Sequence, residues 1–384
     1  MTWPTATLAD LCEINVGRTP ARANPAYWGE GEPWLSIADM NQGPQITRTK
    51  EQITASGAAG GRQVTPGTVL LSFKLSIGKV AKAAIPLYTN EAIAALPIKR
   101  RDLITEDFLI AALGQAELSR NSNRAAMGAT LNKAKLKEIR IPLPSLPEQR
   151  RIVAILDQAD TLRTKRRKVL AQIDALASAT FDFLFAGKNF QSSNLGDHMV
   201  DQQIGVDRRA AEQGSARQHD YIRMDAITRE GRLDLRSIKR VDASEAEVEK
   251  YSLTDGDLLF NTRNSRELVG KTAVYRGSSR LYNNNLMRIR FDGELLPDYV
   301  HRYLWSTDGQ KQLDARKSGT TSVFAIYARS LATLQIPVPP ESLQQSFSKS
   351  IARYEEMRSR LSCQMALDDA LFASLQFRAF RGEL

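Results

Sequence analysis

The chain has little of what stapled, metal-holding or membrane-spanning proteins use. Its 384 residues include two cysteines, Cys12 and Cys363, and three histidines, His198, His219 and His301. Two cysteines in so long a chain make neither a disulfide framework nor a zinc cage, which fits a reducing cytoplasm. No histidine stands beside a cysteine or an Asp/Glu pair at metal-ligand spacing, so no metal is expected. No apolar run reaches about 18 residues, so no membrane span is expected. The start, Met1-Thr2-Trp3-Pro4, lacks the charged segment and apolar run of a signal peptide. A GxxxxGKS/T phosphate loop and a GxGxxG turn are both missing, which leaves no nucleotide cradle and no expected cofactor.

What is present is charge and repetition. The formal net charge is +10, a balance that suits a polyanionic partner. The length predicts two to three domains. The segment from Ile141-Pro142-Leu143-Pro144 to Glu148-Gln149-Arg150-Arg151-Ile152 opens a long helical pattern that closes at Phe185-Ala186-Gly187. Another opens at Ile336-Pro337-Val338-Pro339-Pro340-Glu341 and closes at Phe380-Arg381-Gly382, a shift of 195 residues at both ends. A repeat that long is a whole domain plus a helix, not a solenoid unit. The expected fold is α+β, a tandem duplication of a mixed α/β domain followed by a long helix. The expected boundaries are 1–146, 147–188, 189–339 and 340–384.

Within the first copy, Val69-Leu70-Leu71-Ser72-Phe73 and Ala92 to Ile98 read as strands. Thr65-Pro66-Gly67 reads as a turn, and Asp107 to Leu118 as a helix capped by Asp107. The second copy keeps the order. Thr254-Asp255-Gly256 matches Thr65-Pro66-Gly67, Gly270-Lys271 matches Gly78-Lys79, and Tyr282-Asn283-Asn284 matches Tyr88-Thr89-Asn90. Asp298-Tyr299 matches Asp107-Phe108, and Gly319-Thr320-Thr321 matches Gly128-Ala129-Thr130.

The long segments start at prolines, Pro147 and Pro340, and stop at glycines, Gly187 and Gly382. A 3-4 spacing runs through Ile155, Ala159, Leu162, Arg166, Val169, Ile173, Leu176, Thr180 and Phe183. The second runs through Phe347, Ile351, Tyr354, Arg358, Leu361, Met365, Asp368, Phe372 and Leu375. Each is a heptad seam on a helix about 60 Å long. The two seams are expected to cover each other as an antiparallel coiled coil, and a rigid spacer of that kind would hold two heads at a set separation.

Two catalytic readings fail on their residues. Asn24-Pro25-Ala26-Tyr27 resembles the Asn-Pro-Pro-Tyr loop of amino-group DNA methyltransferases but lacks the second proline. Glu247, Glu249 and Lys250 are close enough to suggest a nuclease centre, but they sit on what reads as a solvated helix face.

Gly17-Arg18-Thr19-Pro20, Tyr27-Trp28-Gly29, Pro33-Trp34-Leu35-Ser36 and Asp39-Met40, then Leu71-Ser72-Phe73-Lys74 with Ile77-Gly78-Lys79, resemble the recognition domain of type I restriction-modification specificity subunits. Pro142-Leu143-Pro144 through Ile152 resembles the start of that family's spacer helix. The resemblance covers the whole chain, although the second domain offers only Tyr221-Ile222-Arg223-Met224-Asp225 where the first has its tryptophans. It implies a non-catalytic subunit that binds a bipartite, asymmetric site on double-stranded DNA, one half per domain. It also implies partners: methyltransferase subunits carrying S-adenosylmethionine, and a restriction motor-nuclease subunit. On the spacer helices the docking positions would be Gln149, Arg150, Ile155, Leu162, Val169, Ile173, Leu176, Phe347, Ile351, Tyr354, Leu361 and Phe372. A reading of a different class is a coiled-coil scaffold whose two ends bind proteins.

Candidate DNA contacts come from polar, basic loops at matched places. Lys74 and Lys79 lie in one loop of the first copy, and Arg263, Asn264, Arg266 and Lys271 in its counterpart. Arg124, Thr130 and Asn132 form a second loop, matched by Lys317, Thr320 and Thr321. Arg18 and Arg22 lie in a Gly/Pro-rich opening segment. Lysine and arginine on phosphates supply affinity, and the same residues with asparagine on base edges supply specificity. The bland reading of each loop is a solvated hairpin. Trp28 and Trp34 read as core. The run Arg163, Lys165, Arg166, Arg167, Lys168 reads as a solvated helix face, or else as a contact to DNA between half-sites.

Overall fold

The computed structural model describes residues 3–74, 76–115, 123–125, 128–236, 238–319 and 322–384, with the backbone alone for 123–125 and 128–130. The chain divides into two compact units. The first comprises 1–167 with 363–384, and the second 168–362. Each unit therefore holds one mixed domain and parts of both long helices, Leu146–Phe185 and Glu341–Ala379.

In the first unit the buried runs Val69–Ser72 and Ile93–Leu96 sit in a five-stranded sheet. Its order is Asn15–Val16, Ile93–Leu96, Val69–Ser72, Val80–Ala83, Gln45–Ile46. Every residue of the two central strands is buried, as strands covered on both faces require. Gly67, at φ +87°, makes the turn before Val69. A smaller sheet is ordered Glu51–Ile53, Trp28–Leu35, Tyr88–Thr89. The helix spans Glu106–Gln115, and its cap is Thr105 rather than Asp107, because the Thr105 hydroxyl accepts the Phe108 N–H at 3.3 Å. Thr5–Thr7 pairs antiparallel with Arg140–Pro142, closing the domain at the foot of the first long helix.

The second unit repeats this plan. Its four-stranded sheet runs Met199–Ile204, Leu286–Phe291, Leu258–Asn261, Thr272–Val274. The small sheet runs Lys239–Val241, His219–Ile222, Leu281–Tyr282, and Ser192–Asn194 pairs with Gln335–Pro337. Parallel pairing of Trp34 with Tyr88, and of Tyr221 with Leu281, puts buried Tyr221 in the place of buried Trp34. The register also moves one sequence match by a residue. The Asn90 N–H bonds the Leu35 carbonyl as that of Asn283 bonds Ile222, so Asn283 is the counterpart of Asn90.

Within each unit the helix segments run antiparallel. In the first, Arg163 meets Asp369 at 2.7 Å and Arg166 meets Asp368. In the second, the Thr180 hydroxyl meets the Tyr354 hydroxyl at 2.9 Å and Arg358 meets Asp174 at 3.2 Å. Phe181 and Phe185 stack with Tyr299 and Phe347 at centroid distances of 4.9–5.8 Å, which ties both helices into the second core. Ile152, Leu156 and Ala379 do the same in the first, beside Leu11 and Phe108.

The seam of the second helix is the expected one, from Phe347 to Leu375. That of the first helix is rotated. Ile152, Leu156, Ala159, Arg163, Arg166, Leu170, Ile173, Ala177 and Thr180 are buried or half-buried, whereas Leu162, Val169, Leu176 and Phe183 are exposed, Phe183 by 82%. The Arg163 guanidinium lies 4.3 Å from the Phe372 ring centroid, so its stem takes an inward place that the spacing gave to leucine.

Each long helix is pinned at its start by a fully buried glutamine. Gln149 accepts the Thr105 N–H at 3.0 Å and donates to the carbonyls of Leu103 (2.7 Å) and Pro144 (3.0 Å). Gln344 accepts the Leu296 N–H at 2.8 Å and donates to Glu294 and Pro339, both at 2.8 Å.

Candidate nucleic-acid interface

In the second unit the chain leaves the central strand at Asn261 and turns through Arg263–Asn264. It pairs there with the hairpin of Ser318–Gly319 and Phe324–Ala325. Arg263 stands opposite Ala325, and Asn264 opposite Phe324. The two basic loops matched separately in the sequence thus form one three-stranded patch. Polar bonds hold it. Buried Asn261 donates to the carbonyl of Asn285 at 3.0 Å and accepts from Asn264 Nδ2 at 3.0 Å. The Ile326 N–H closes on the Thr262 carbonyl at 2.9 Å.

On this fixed base the candidates separate. The Arg263 side chain is exposed and has no partner among the described residues. Arg266 is exposed and lies 5.5 Å from the Phe324 ring centroid. Lys317 is turned inward, bonding the Arg266 carbonyl at 2.8 Å and Asp314 at 2.7 Å. The Lys271 ammonium is half-buried, bonds the Ile227 carbonyl, and is held below the usual lysine range by that burial. Thr320 and Thr321 lie outside the described residues. Exposed Val323 and Tyr327 flank the patch, and the sequence reading did not single them out.

The first unit builds the same junction. The Leu131 N–H bonds the Phe73 carbonyl at 2.9 Å, the Ser72 N–H bonds Lys79, and the Gly78 N–H bonds Ser72. Ile326 with Thr262, Asn261 with Lys271, and Gly270 with Asn261 make the corresponding bonds. Lys74 is therefore the counterpart of Arg263. It is half-exposed, with its ammonium 5.5 Å from the Phe73 ring centroid. Lys79 bonds Asn41 Oδ1 at 2.7 Å. Asn132 accepts the Lys135 N–H at 2.8 Å as the cap of helix Lys133–Lys137. Arg124 and Thr130 belong to the hairpin Asn123–Ala125 with Gly128–Thr130, and their side chains lie outside the description.

This register corrects one sequence match. Arg124 stands opposite Ala129 as Gly319 stands opposite Phe324, so Gly319 is the counterpart of Arg124 and not of Gly128. Arg124 to Gly319 keeps the 195-residue shift of the long helices, and the sequence match of Gly128 with Gly319 departs from it by four residues.

Other candidates are engaged inside their units. Arg22 makes a fork to Glu51 at 2.5 and 3.0 Å and lies 3.8 Å from the Trp28 ring centroid. The Arg22 bond holds the Glu51 carboxyl below its usual range. Arg18 donates to the Ala59 carbonyl at 3.0 Å. In the helical run, Arg163 and Arg166 are turned to Asp369 and Asp368 across the helix pair and depart from the solvated-face reading, whereas Arg167 is exposed and reaches Asp369 only at 3.5 Å. Lys165 and Lys168 are exposed without partners among the described residues. Of the docking positions, Gln149, Ile173 and Phe347 are buried within their own units and closed to a partner, because packing there completes each core. Ile155, Ile351, Tyr354, Leu361 and Phe372 are half-buried, and Arg150, Leu162, Val169 and Leu176 are exposed.

The catalytic decoys are structural. Asn24 Oδ1 accepts the Ala26 N–H at 3.1 Å as the cap of a 3-10 turn. Glu247 caps the helix Glu245–Tyr251 and pairs with Arg208 at 2.7 Å, a bond that lowers its pKa.

Duplicated mixed domains, each packed on an antiparallel helix pair and each with basic side chains at the same sheet edge, define the class of protein. Comparison with known proteins agrees. The family described as "Type I restriction modification DNA specificity domain" matches residues 1–174. The EcoKI type I specificity subunit of Escherichia coli (strain K12) is 24% identical over 356 residues, covering 84% of this chain and 76% of that protein. The StySPI specificity subunit of Salmonella potsdam is 22% identical, covering 100% of this chain and 89% of its own length. The solved type I S subunit from M. genitalium shares the fold with a TM-score of 0.60 at 12% identity, over 99% of this chain and 96% of that one. Residues 1–174 thus match the specificity domain of type I restriction-modification systems, and the chain as a whole is similar to type I specificity subunits.

Proposed function

We propose that the chain is the DNA-reading, non-catalytic subunit of a type I restriction-modification complex, with each unit reading one half of an asymmetric bipartite site. The observation that carries this is the convergence, in both units, of two basic loops on one sheet edge. Arg263 in one unit and Lys74 in the other project from a base fixed by backbone bonds. The side chains at that edge differ between copies, as two readers of different half-sites require. An arginine fork suits guanine O6 and N7, whereas a lysine is a point donor. Exposed Leu162, Val169, Leu176 and Phe183 recur every seven residues as a column on the first long helix. An apolar column left uncovered in the chain supports docking of methyltransferase subunits there. The complex would draw its S-adenosylmethionine site and its restriction motor-nuclease from those partner subunits.

Duplex binding should be strongly salt-dependent. If several lysines and arginines displace phosphate counterions, affinity falls by about a thousandfold between about 50 and about 200 mM salt. Fluorescence anisotropy of a labelled duplex measures it. A protein scaffold would show no duplex binding at either concentration.

A further inference from the structure

The sequence places no histidine near an acidic pair, but the fold does. In the second unit His198, Asp292 and Glu294 bring one ligand atom each to within 4.8 Å of one another, the one such trio found among the described residues. His198 ends the turn Leu195–His198 and is buried. Its Nδ1 lies 2.9 Å from Asp292 Oδ2 and 3.6 Å from Glu294 Oε2. Its Nε2 lies 2.7 Å from the Ser193 hydroxyl.

The geometry points to a divalent transition-metal site, for zinc or an ion of similar preference, that clamps the second unit. Ligands around a tetrahedral zinc, each about 2.0–2.2 Å from the metal, lie roughly 3.4 Å apart. The two separations at Nδ1 bracket that value. Without an ion, Nδ1–H donates to Asp292 Oδ2; with one, Nδ1 would give up that proton to bind the metal and Nε2–H would donate to Ser193, the outer-shell contact typical of ligating histidines. Asp292 Oδ1 accepts the N–H groups of Glu294 at 2.9 Å and Leu295 at 3.4 Å, which holds the loop and presents Oδ2. Two carboxylates balance a dication, and the exposed side of Glu294 leaves room for a water as the fourth ligand.

The comparison between copies shows that the fold does not need this trio. Strand pairing and backbone bonds make Ala6, Leu11, Lys99 and Leu103 the counterparts of Ser193, His198, Asp292 and Glu294. The first unit has an apolar or cationic residue at each place and closes the same way. The site also sits at a junction. The Glu294 carbonyl accepts from Gln344, so an ion there would join the first strand of the second unit to the foot of the second long helix.

The test is calorimetric titration of the full-length chain with zinc chloride, alongside thermal unfolding. The expected result is one ion per chain and a rise in the unfolding temperature that assigns to the second unit. Glu294→Gln, at a solvent-facing side chain, should fold normally and weaken binding at least tenfold. His198→Leu, which installs the first unit's residue, should abolish it. Cys363→Ser should leave it unchanged, since Cys363 is exposed and elsewhere. Zinc binding that survives Glu294→Gln undiminished, that disappears with Cys363→Ser, or that is absent from the wild-type chain overturns the assignment. Duplex binding is measured separately, and its outcome does not bear on this site.

Discussion

Replacing Gln344 with leucine should destabilise the second unit by about 3–5 kcal/mol. The three bonds it makes, to Leu296, Glu294 and Pro339, all end on backbone groups, and the side chain that makes them is fully buried. Leucine has nearly the same volume, so the loss is not that of a cavity. It is the cost of leaving one N–H and two carbonyls unpaired, about 1–3 kcal/mol for each that is buried, partly relieved by relaxation and by water at the part-buried two. For a unit of this size that lowers the unfolding temperature by about 10 °C. Gln149→Leu should do the same to the first unit, since it holds Thr105, Leu103 and Pro144 with the same three bonds. Differential scanning calorimetry of both variants checks this. A loss below about 1 kcal/mol would show that water satisfies these groups and that the glutamines are not the pins described.

Arg263→Ala should cost about 1–3 kcal/mol of discrimination at one half-site, a loss of roughly ten- to a hundredfold against the wrong base. Arg263 is exposed, and no described residue competes for its guanidinium, so truncation removes little from the fold. Arg22 makes a useful control. Its guanidinium is held by Glu51 and Trp28, so Arg22→Ala should lower stability with less effect on base choice. Competition binding with duplexes altered in one half or the other reads the difference. Equal weakening of Arg263→Ala on every sequence would make Arg263 a phosphate contact instead.

The duplication, the strands Val69–Ser72 and Ile93–Leu96, and the second helix's seam were legible because each is a local pattern. The seam of the first helix was not. Two seven-residue columns on that helix are apolar over much of their length, and spacing cannot say which one turns inward. On the second helix the competing column is broken by Ser350 and Gln364, and the choice is clear. The matched loops were legible one at a time, but not their union. Arg263 and Ala325 are far apart in sequence, and only the pairing of strands brings them together. The match of Gly319 with Gly128 followed the shared glycine and left the 195-residue register by four residues. His198 and Asp292 stay invisible for the same reason as the loops, lying 94 positions apart.

The most direct test of one unit per half-site is to map methylation on a random DNA pool. The pool is incubated with this chain, the methyltransferase subunits proposed as its partners and S-adenosylmethionine. The account predicts a single two-part sequence with unlike halves and a fixed gap. A palindrome, a one-part site or methylation without sequence preference would contradict it.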